Sequence, residues 1–487
     1  MKVLKNILKS VDIAQIIGSD SLEINAISFS SNEVAKNDVF VAQRGTVVDG
    51  HVYINDAIKK GASVIICEVI PESLEAHVTY VQVGDSSVAL AVMAANYYGN
   101  PSKELQLVGV TGTNGKTTIA TLLFSLYKEA GYKVGLLSTI KIMVNDTTYT
   151  TSHTTPDSLV INKYLRGMVE QGCEYCFMEV SSHGIHQKRT VGLVFAGGVF
   201  TNLTHDHLDY HNTFKEYRDI KKIFFDQLPK TAFSLVNSDD KNGLFMLQNS
   251  TSKKHTYALK TLADFKGRVL ESSFSGMLLV MNQQELWSKL IGQFNAYNLL
   301  AIYGVTQLLG MEPLEALKII SNLESVSGRF EHLVSKKGIT VIVDYAHTPD
   351  ALKNVLQTIQ GIRTGSENVL TVVGCGGDRD KKKRPKMGAI AAQMSDQTIF
   401  TSDNPRTENP AVIIEEIEAG VAAQDLNKTL VIADRKQAIK AACKMAVSGD
   451  IILIAGKGHE NYQDVNGHKS HFDDYETVTE LLNQLGK

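Results

Sequence analysis

The chain has 487 residues, 43% of them hydrophobic and 21% charged, with a formal net charge of -3. That length exceeds one ordinary core and predicts about three domains, the near-neutral balance leaves no basic excess for a nucleic-acid partner, and no apolar run approaches the roughly 18 residues of a membrane helix. Five cysteines, an odd number in a long chain, argue for reduced thiols and a cytoplasmic protein.

The opening stretch MKVLKNILKSVDIAQIIG has Lys2, Lys5 and Lys9 interrupting its apolar positions, which predicts an amphipathic helix and not a signal peptide. Strand-like runs follow at 38–42 (DVFVA), 62–68 (ASVIICE) and 79–83 (TYVQV), with a helix over 54–60, so residues 1–100 read as a small α/β domain. Its loops at 27–34 and 44–51 are, on their own, ordinary turns. Asn100-Pro101 marks the first boundary.

The central domain, 101–332, opens with a short apolar strand at 105–110 and a helical pattern at 119–128. Between them lie Gly112, Thr113, Asn114, Gly115, Lys116, Thr117 and Thr118. A glycine loop between strand and helix lets backbone N–H groups approach phosphate oxygens, a lysine reach the terminal phosphates and a hydroxyl hold Mg²⁺, so the stretch predicts a nucleoside-triphosphate cradle. The strict pattern wants glycine where this chain has Val110. Further on, the apolar strand CFMEV carries Glu179 near its end, beside Ser181, Ser182 and His183, where a second Mg²⁺ ligand would sit. Cys173 and Cys176 form a lone CxxC, read as structural burial in preference to a metal or redox pair. His205, Asp206, His207, Asp209 and His211 crowd the turn after another apolar strand, a pattern open to zinc or to completion of a Mg²⁺ shell. Lys221 and Lys222 follow on a helix, and composition alone would place both in solvent. A helix over 290–310 carries Asn295 and Asn298, and the domain closes at SVSGRFEHL with Arg329.

Residues 333–487 alternate strand and helix, with polar residues at the C-terminal ends of the strands: Asp344 and His347, Arg379, Asp403-Asn404-Pro405-Arg406, and Gly456 to Glu460. In open parallel sheets ligands bind at that edge, so these groups are expected to converge on one crevice. The predicted fold class is α/β in three domains, the middle one a phosphate-loop domain with a mostly parallel sheet and the last Rossmann-like.

The segments TGTNGKTT, MEVSSHG, TNLTHDHLDYH, YRDIK, SGRFE, DYAHTPD, GDRD, DNPR and GKGHE, in this order, resemble the Mur ligase family, ATP-dependent amino-acid ligases of peptidoglycan precursor synthesis, over essentially the whole chain. The resemblance implies an N-terminal domain for a UDP-sugar, a central ATPase and a C-terminal domain for the incoming amino acid, working as a single chain without membrane insertion. It implies ATP, Mg²⁺, UDP-N-acetylmuramoyl-L-Ala-D-Glu and meso-2,6-diaminopimelate as cofactors and substrates, with a carboxylate activated as an acyl phosphate and captured by an amine. Carried over by matching position, Lys116, Glu179, His207, Lys221, Asp344 and His347 are the catalytic set, and Thr117, Glu179, His207 and a carbamylated Lys221 the metal ligands. Asn295, Asn298 and Arg329 join the phosphate loop around ATP. Ser31, Thr154, Thr155, Ser181, Gln187 and Arg189 take the UDP-sugar, although the first loop reads Phe29-Ser30-Ser31-Asn32 where many members read LDSR. Arg379, Asp403, Asn404, Pro405, Arg406, Gly456 and Glu460 take the diamino acid: a guanidinium fork at Arg406 answers its far carboxylate and Glu460 its ammonium. A lysine-adding ligase or folylpolyglutamate synthetase of the same superfamily, and a phosphate-loop switch hydrolysing ATP without any amino acid, are the alternatives.

Overall fold

The structure is a computed structural model that describes residues 2–45, 48–151, 153–206 and 210–487. The N-terminal unit is a five-stranded sheet in the order Ile13–Ile17, Thr79–Val83, Ala62–Cys67, Asp38–Val41, Ile27–Ser28, parallel except for the first pair. Alternate residues of its inner strands face two apolar layers, Val39, Val64 and Val81 toward Leu4, Ile7 and Leu90, and Phe40, Ile65 and Tyr80 toward Ile54 and Ala57. The amphipathic opening helix is a correction. Only Leu4–Ile7 is helical, and Ile13–Ile17 is a strand. Its β-branched residues gain an antiparallel partner in Thr79–Val83, and ladder pairing outweighs a helical spacing of apolar groups.

The central sheet has eleven strands, running Thr147–Tyr149, Ile142–Val144, Val134–Leu137, Tyr175–Glu179, Gln106–Thr111, Gly197–Phe200, Phe233–Asn237, Lys253–Ala258, Phe265–Ser273, Gly276–Met281, Gln284–Ser288. It is parallel through the middle and antiparallel at both edges. The phosphate-loop strand Gln106–Thr111 is central, with Tyr175–Glu179 on one side and Gly197–Phe200 on the other, so chain connections leave it in opposite directions. A crevice opens at its C-terminal end for that reason. Val108, Val110 and Phe177 pack toward the helices Lys116–Glu129 and Gln293–Leu308. Leu107, Cys176 and Met178 pack toward Ser158–Glu170 and Phe214–Asp226.

The C-terminal sheet runs Glu331–Val334, Thr340–Asp344, Ile451–Ala455, Val369–Val373, Gln397–Phe400, Thr429–Val431, parallel after its first edge pair. Helices cover both faces, Pro349–Ile362, Lys383–Met394 and Pro410–Glu418 on one and Arg435–Met445 and Asp474–Gln484 on the other. All five cysteines are buried free thiols. Among the described residues no helix is long and apolar enough to cross a membrane.

Under the active edge of this last sheet lies a wholly buried ion pair. Arg435 donates to both Asp474 oxygens at 2.8 and 2.7 Å, and its remaining N–H groups reach Ser402 O at 3.4 Å and Ala455 O at 3.1 Å. Those two carbonyls stand just beyond Gln397–Phe400 and at the end of Ile451–Ala455, the strands that lead into 403–406 and 456–460. Deleting one partner strands the other charge in the core, so Asp474→Ala should lower the unfolding free energy of the C-terminal domain by about 3–5 kcal/mol, read by denaturant titration. A loss under about 1 kcal/mol, the size of an exposed pair, would contradict this.

Candidate active site

Helix Lys116–Glu129 begins directly after the four-residue loop 112–115. Gly112 has φ 144°, and a Cβ there would collide with Thr201 Oγ, so only glycine fits. The loop is pinned to the segment after Gly197–Phe200: Thr201 Oγ donates to Asn114 O at 2.6 Å, Asn114 N donates to Asn202 Oδ1 at 2.9 Å, and Thr113 N donates to Asn202 O at 2.9 Å. Lys116 Nζ lies over the loop, donating to Gly112 O at 3.0 Å and Thr113 O at 2.8 Å.

The register of Tyr175–Glu179 against the phosphate-loop strand sets Glu179 opposite Val110. Its carboxylate, with no solvent exposure, accepts from Thr117 Oγ at 2.9 Å and Thr139 N at 2.7 Å. A hydroxyl and a buried carboxylate offering hard oxygens at the foot of a phosphate loop suit a Mg²⁺ ion. His207, named with them from sequence, lies outside the described residues.

Lys221 and Lys222 are not solvated; they are 1% and 7% exposed. On Phe214–Asp226, Tyr217 and Lys221 are one turn apart and share the face that meets the phosphate loop. Tyr217 OH lies 3.1 Å from Thr113 Oγ, and Lys221 Nζ donates to Gly112 O at 2.9 Å while standing 4.7 Å from the Tyr217 ring. Burial first, and then the neighbouring Lys116, hold Lys221 well below the ordinary lysine range, against the pull of Asp206. Lys222 points the other way, to Asp226 at 2.6 and 2.8 Å.

Next to Glu179, Thr155 Oγ donates to Glu179 O at 2.8 Å and accepts from Ser181 N at 2.9 Å. Arg189 donates to Thr155 O and to Gln187 Oε1, both at 2.6 Å, and Thr154 Oγ accepts from Thr139 Oγ at 3.0 Å. Thr154, Thr155, Ser181, Gln187 and Arg189 lie along a cleft of about 1240 Å³ that continues past Lys116 and Lys221 to Arg379, Asp403, Asn404, Arg406, Gly456 and Glu460. Ser31 is on the turn after Ile27–Ser28 in the N-terminal unit and is not among its lining residues.

A second cleft of about 620 Å³ runs from Asn114, Gly115 and Thr118 past Asn298 to Val355 and Thr358. Asn298 donates to Asn295 Oδ1 at 3.1 Å, and Asn295 donates to Ile291 O at 2.8 Å. Tyr345 and His347 line both clefts and form the wall between them. Arg329 closes the seam, donating to Thr117 Oγ at 3.2 Å with its guanidinium 4.6 Å from the Tyr345 ring. His347 Nδ1 donates to Tyr345 O at 2.9 Å, which leaves Nε2 as the acceptor. Burial, then Lys383, pushes its pKa down to about 4, so the ring is neutral at pH 7. Asp344 accepts from Phe330 N at 2.7 Å, and burial raises its pKa to about 6 against the pull of Arg329.

At the far end of the wide cleft, Asn404 Nδ2 donates to Glu460 Oε2 at 2.7 Å, and Arg406 donates to Gly377 O at 2.6 Å. Pro405 is buried behind them, while Arg379 is exposed at the rim. Most of the residues named from sequence in the last two domains therefore meet at one continuous edge. His459 falls within the stretch Gly456 to Glu460 named from sequence, whereas Tyr345 and the pinning pair Thr201 and Asn202 were not singled out. A signal for Tyr217 did exist, the four-residue spacing to Lys221 in YRDIK.

Three family models match the chain: Mur ligase family, catalytic domain, at 23–98, Mur ligase middle domain at 110–306, and Mur ligase, glutamate ligase domain, at 328–458. The chain is 55% identical over 481 residues to the UDP-N-acetylmuramoyl-L-alanyl-D-glutamate--2,6-diaminopimelate ligase of Bacteroides thetaiotaomicron, covering 99% of this chain and 100% of the relative. It is 55% identical to the Bacteroides fragilis protein of the same name, over 98% of this chain and 99% of the relative. A solved structure of a ligase so named superposes with a TM-score of 0.70 at 30% identity, over the full length of both chains.

The state of Asp344 is testable through stability. The folded chain binds its proton more tightly than the unfolded chain, so the carboxyl favours folding below the unfolded value of 3.8 and that contribution is lost as pH rises through about 6. An amide in its place does not titrate. Relative to the parent, Asp344→Asn should therefore gain on the order of 2–3 kcal/mol between about pH 4 and pH 7, measured by denaturant unfolding at both values. Parallel pH dependences would show that the carboxyl is not perturbed.

Proposed function

The chain belongs to the Mur ligase family, and from that premise we propose that it joins meso-2,6-diaminopimelate to the D-Glu of UDP-N-acetylmuramoyl-L-Ala-D-Glu with conversion of ATP to ADP and phosphate. The reaction belongs to cytoplasmic peptidoglycan precursor synthesis, and the chain works as a monomer. The observation that carries the reading is the shared wall. Tyr345 and His347 border both clefts, and Lys116 of the phosphate loop borders the one that ends at Asn404 and Glu460.

The D-Glu side-chain carboxylate attacks the γ-phosphorus of ATP, forming an acyl phosphate as the bond to the β-phosphate oxygen breaks and ADP leaves. The amine of diaminopimelate then adds to the acyl carbon, and the tetrahedral intermediate expels inorganic phosphate and loses a proton to leave the amide. A free carboxylate is a poor acyl donor; with phosphate on its oxygen it has a leaving group.

The narrow cleft takes the nucleotide, with Gly112 to Thr118 at the phosphates and Asn295, Asn298 and Arg329 beside them. Its apolar wall, including Val355 and Ile362, suits a planar base. Thr117, Glu179 and His207 would hold Mg²⁺, which supplies charge neutralisation at the phosphates. The neutral amine that burial favours at Lys221 is the form able to take up CO₂ as a carbamate, adding an anionic oxygen donor to that set. Lys116 neutralises the transferring phosphoryl group, Asp344 holds Phe330 N and so the Arg329 turn, and His347 offers Nε2 to the reacting groups. Ser31, Thr154, Thr155, Ser181, Gln187 and Arg189 bind the UDP-sugar. Arg379, Asp403, Asn404, Pro405, Arg406, Gly456 and Glu460 form the diamino-acid site.

ADP release with the UDP-sugar dipeptide and ATP should depend on diaminopimelate and be far weaker with lysine; release independent of any amino acid would overturn the reading. Arg406→Ala should raise the diaminopimelate KM by about 100-fold with little change for ATP, as loss of a charge-assisted pair implies, and equal changes in both constants would refute its role. Lys221→Ala should nearly abolish turnover and be partly rescued by a short carboxylic acid, whereas Lys222→Ala should be mild; the opposite ranking would mean that the wrong lysine is assigned.

A further inference from the structure

One cation lies beneath the diamino-acid end of the wide cleft without bordering it. Lys457 follows the strand Ile451–Ala455 and is completely buried. Its Nζ donates to Asn404 Oδ1 at 3.0 Å and stands 3.5 Å from Glu460 Oε2 and 3.8 Å from Asp403 Oδ1. Gly456, His459, Glu460, Asp403, Asn404 and Arg406 line the cleft; Lys457 does not, so it lies behind the residues that would meet a ligand.

The hydrogen bonds define the orientation of Asn404. Its Oδ1 accepts from two donors, Lys457 Nζ and Asp464 N at 3.0 Å, so its amide nitrogen must face the other way, and it donates to Glu460 Oε2 at 2.7 Å. Two carboxylates therefore converge on one buried ammonium, with Asn404 bridging it to Glu460. Arg435, one layer deeper, is committed to Asp474, and Arg406 stands at the mouth with an N–H on Gly377 O.

We propose that Lys457 is a positioning residue for the diamino acid: by fixing Asn404 and holding Asp403 and Glu460 together, it keeps Glu460 aimed at the substrate's far ammonium without touching the substrate. This rests on the ligase reading above. Removing a buried cation from between two acids leaves charge that the site relieves by taking up a proton or by spreading the acids apart, and either response costs the salt link to an ammonium. Burial and then Asp403 hold the Glu460 pKa above the ordinary carboxylate range, and Lys457, the Asn404 hydrogen bond and Arg406 work against that rise.

The test is a double-mutant cycle on the full chain with Lys457→Met, Glu460→Gln and the pair together, assayed by ADP release. Lys457→Met should raise the diaminopimelate KM by about tenfold or more, leaving the KM values for ATP and the UDP-sugar dipeptide within about twofold. In the Glu460→Gln background the same change should add no more than about twofold, because its effect passes through Glu460. A lysine that merely supports the fold would lower kcat through loss of active protein and leave the three KM values alone, or shift them together, and either result overturns the proposal. So do effects that multiply in the double variant. Lys457→Gln, which keeps a donor toward Asn404 but no charge, gives the same readings should the methionine variant fail to fold. Wild-type chain lacking diaminopimelate-dependent ADP release would overturn the ligase reading itself, whereas a responsive wild type with an indifferent Lys457→Met overturns this inference alone.

Discussion

The contact on which the rest depends is the hydrogen bond from Arg329 to Thr117 Oγ, 3.2 Å across the seam between the central and C-terminal sheets. On the proposed reaction, an acyl phosphate made beside the phosphate loop must meet an amine carried by another domain before it meets water, so the two edges have to enclose one volume. The Ser325–Leu333 segment is shaped for that approach. Gly328 has φ 66°, and a Cβ there would collide with the backbone of Gly458 and His459, so the two segments come as close as main chain allows. Phe330 has φ 50°, a left-handed conformation costly for a bulky residue. The carboxylate of Asp344 holds it there by accepting from its N–H. A single acid at a strand end thus maintains the turn that carries Arg329 to the phosphate loop.

Beneath this seam the C-terminal domain is arranged in layers of charge. Arg435 and Asp474 are paired in the core and fix the carbonyls of Ser402 and Ala455. Arg384, equally buried, is held by Glu408 and Glu416 at 2.9 and 2.6 Å. Asp403 and Glu460 line the cleft, with Lys457 buried behind them. Buried ion pairs are weak sources of stability but accept few alternative geometries, which on the proposed reaction suits a surface that distinguishes one amino acid from another.

Much of this was legible in sequence because parallel α/β sheets place their strand ends at one edge. DYAH, DNPR and GKGHE each follow an apolar run, and all three come to that edge. Tertiary context decided the rest. Composition puts lysines in water, yet Lys221 and Lys222 are buried, since the helix Phe214–Asp226 meets the phosphate loop on one face and Phe245 on the other, where Lys222 pairs with Asp226 one turn along the same helix. The opening segment has helical spacing but lies beside a strand that needs a partner. Lys457 was hidden inside a motif whose glycines and acid drew attention, and no local pattern shows that a side chain points down while its neighbours point up.

The two ends of the wide cleft differ in sign, and that difference fits a substrate with two amines. On the proposed reaction the phosphoryl group is transferred where Lys116 of the central domain and Lys383 across from it border the wide cleft. A cationic setting disfavours an ammonium, so the amine lodged there is shifted toward the neutral, nucleophilic form. Burial foremost, with cationic neighbours adding to it, keeps His347 and His459 uncharged, their pKa values pushed down to about 4 and about 3. At the other end Asp403 and Glu460 favour a retained ammonium, and Arg406 beside them favours a carboxylate. On the proposed reaction, one molecule with chemically equivalent amines is sorted by the field of the cleft: the end that keeps its proton is bound, and the end that loses it attacks.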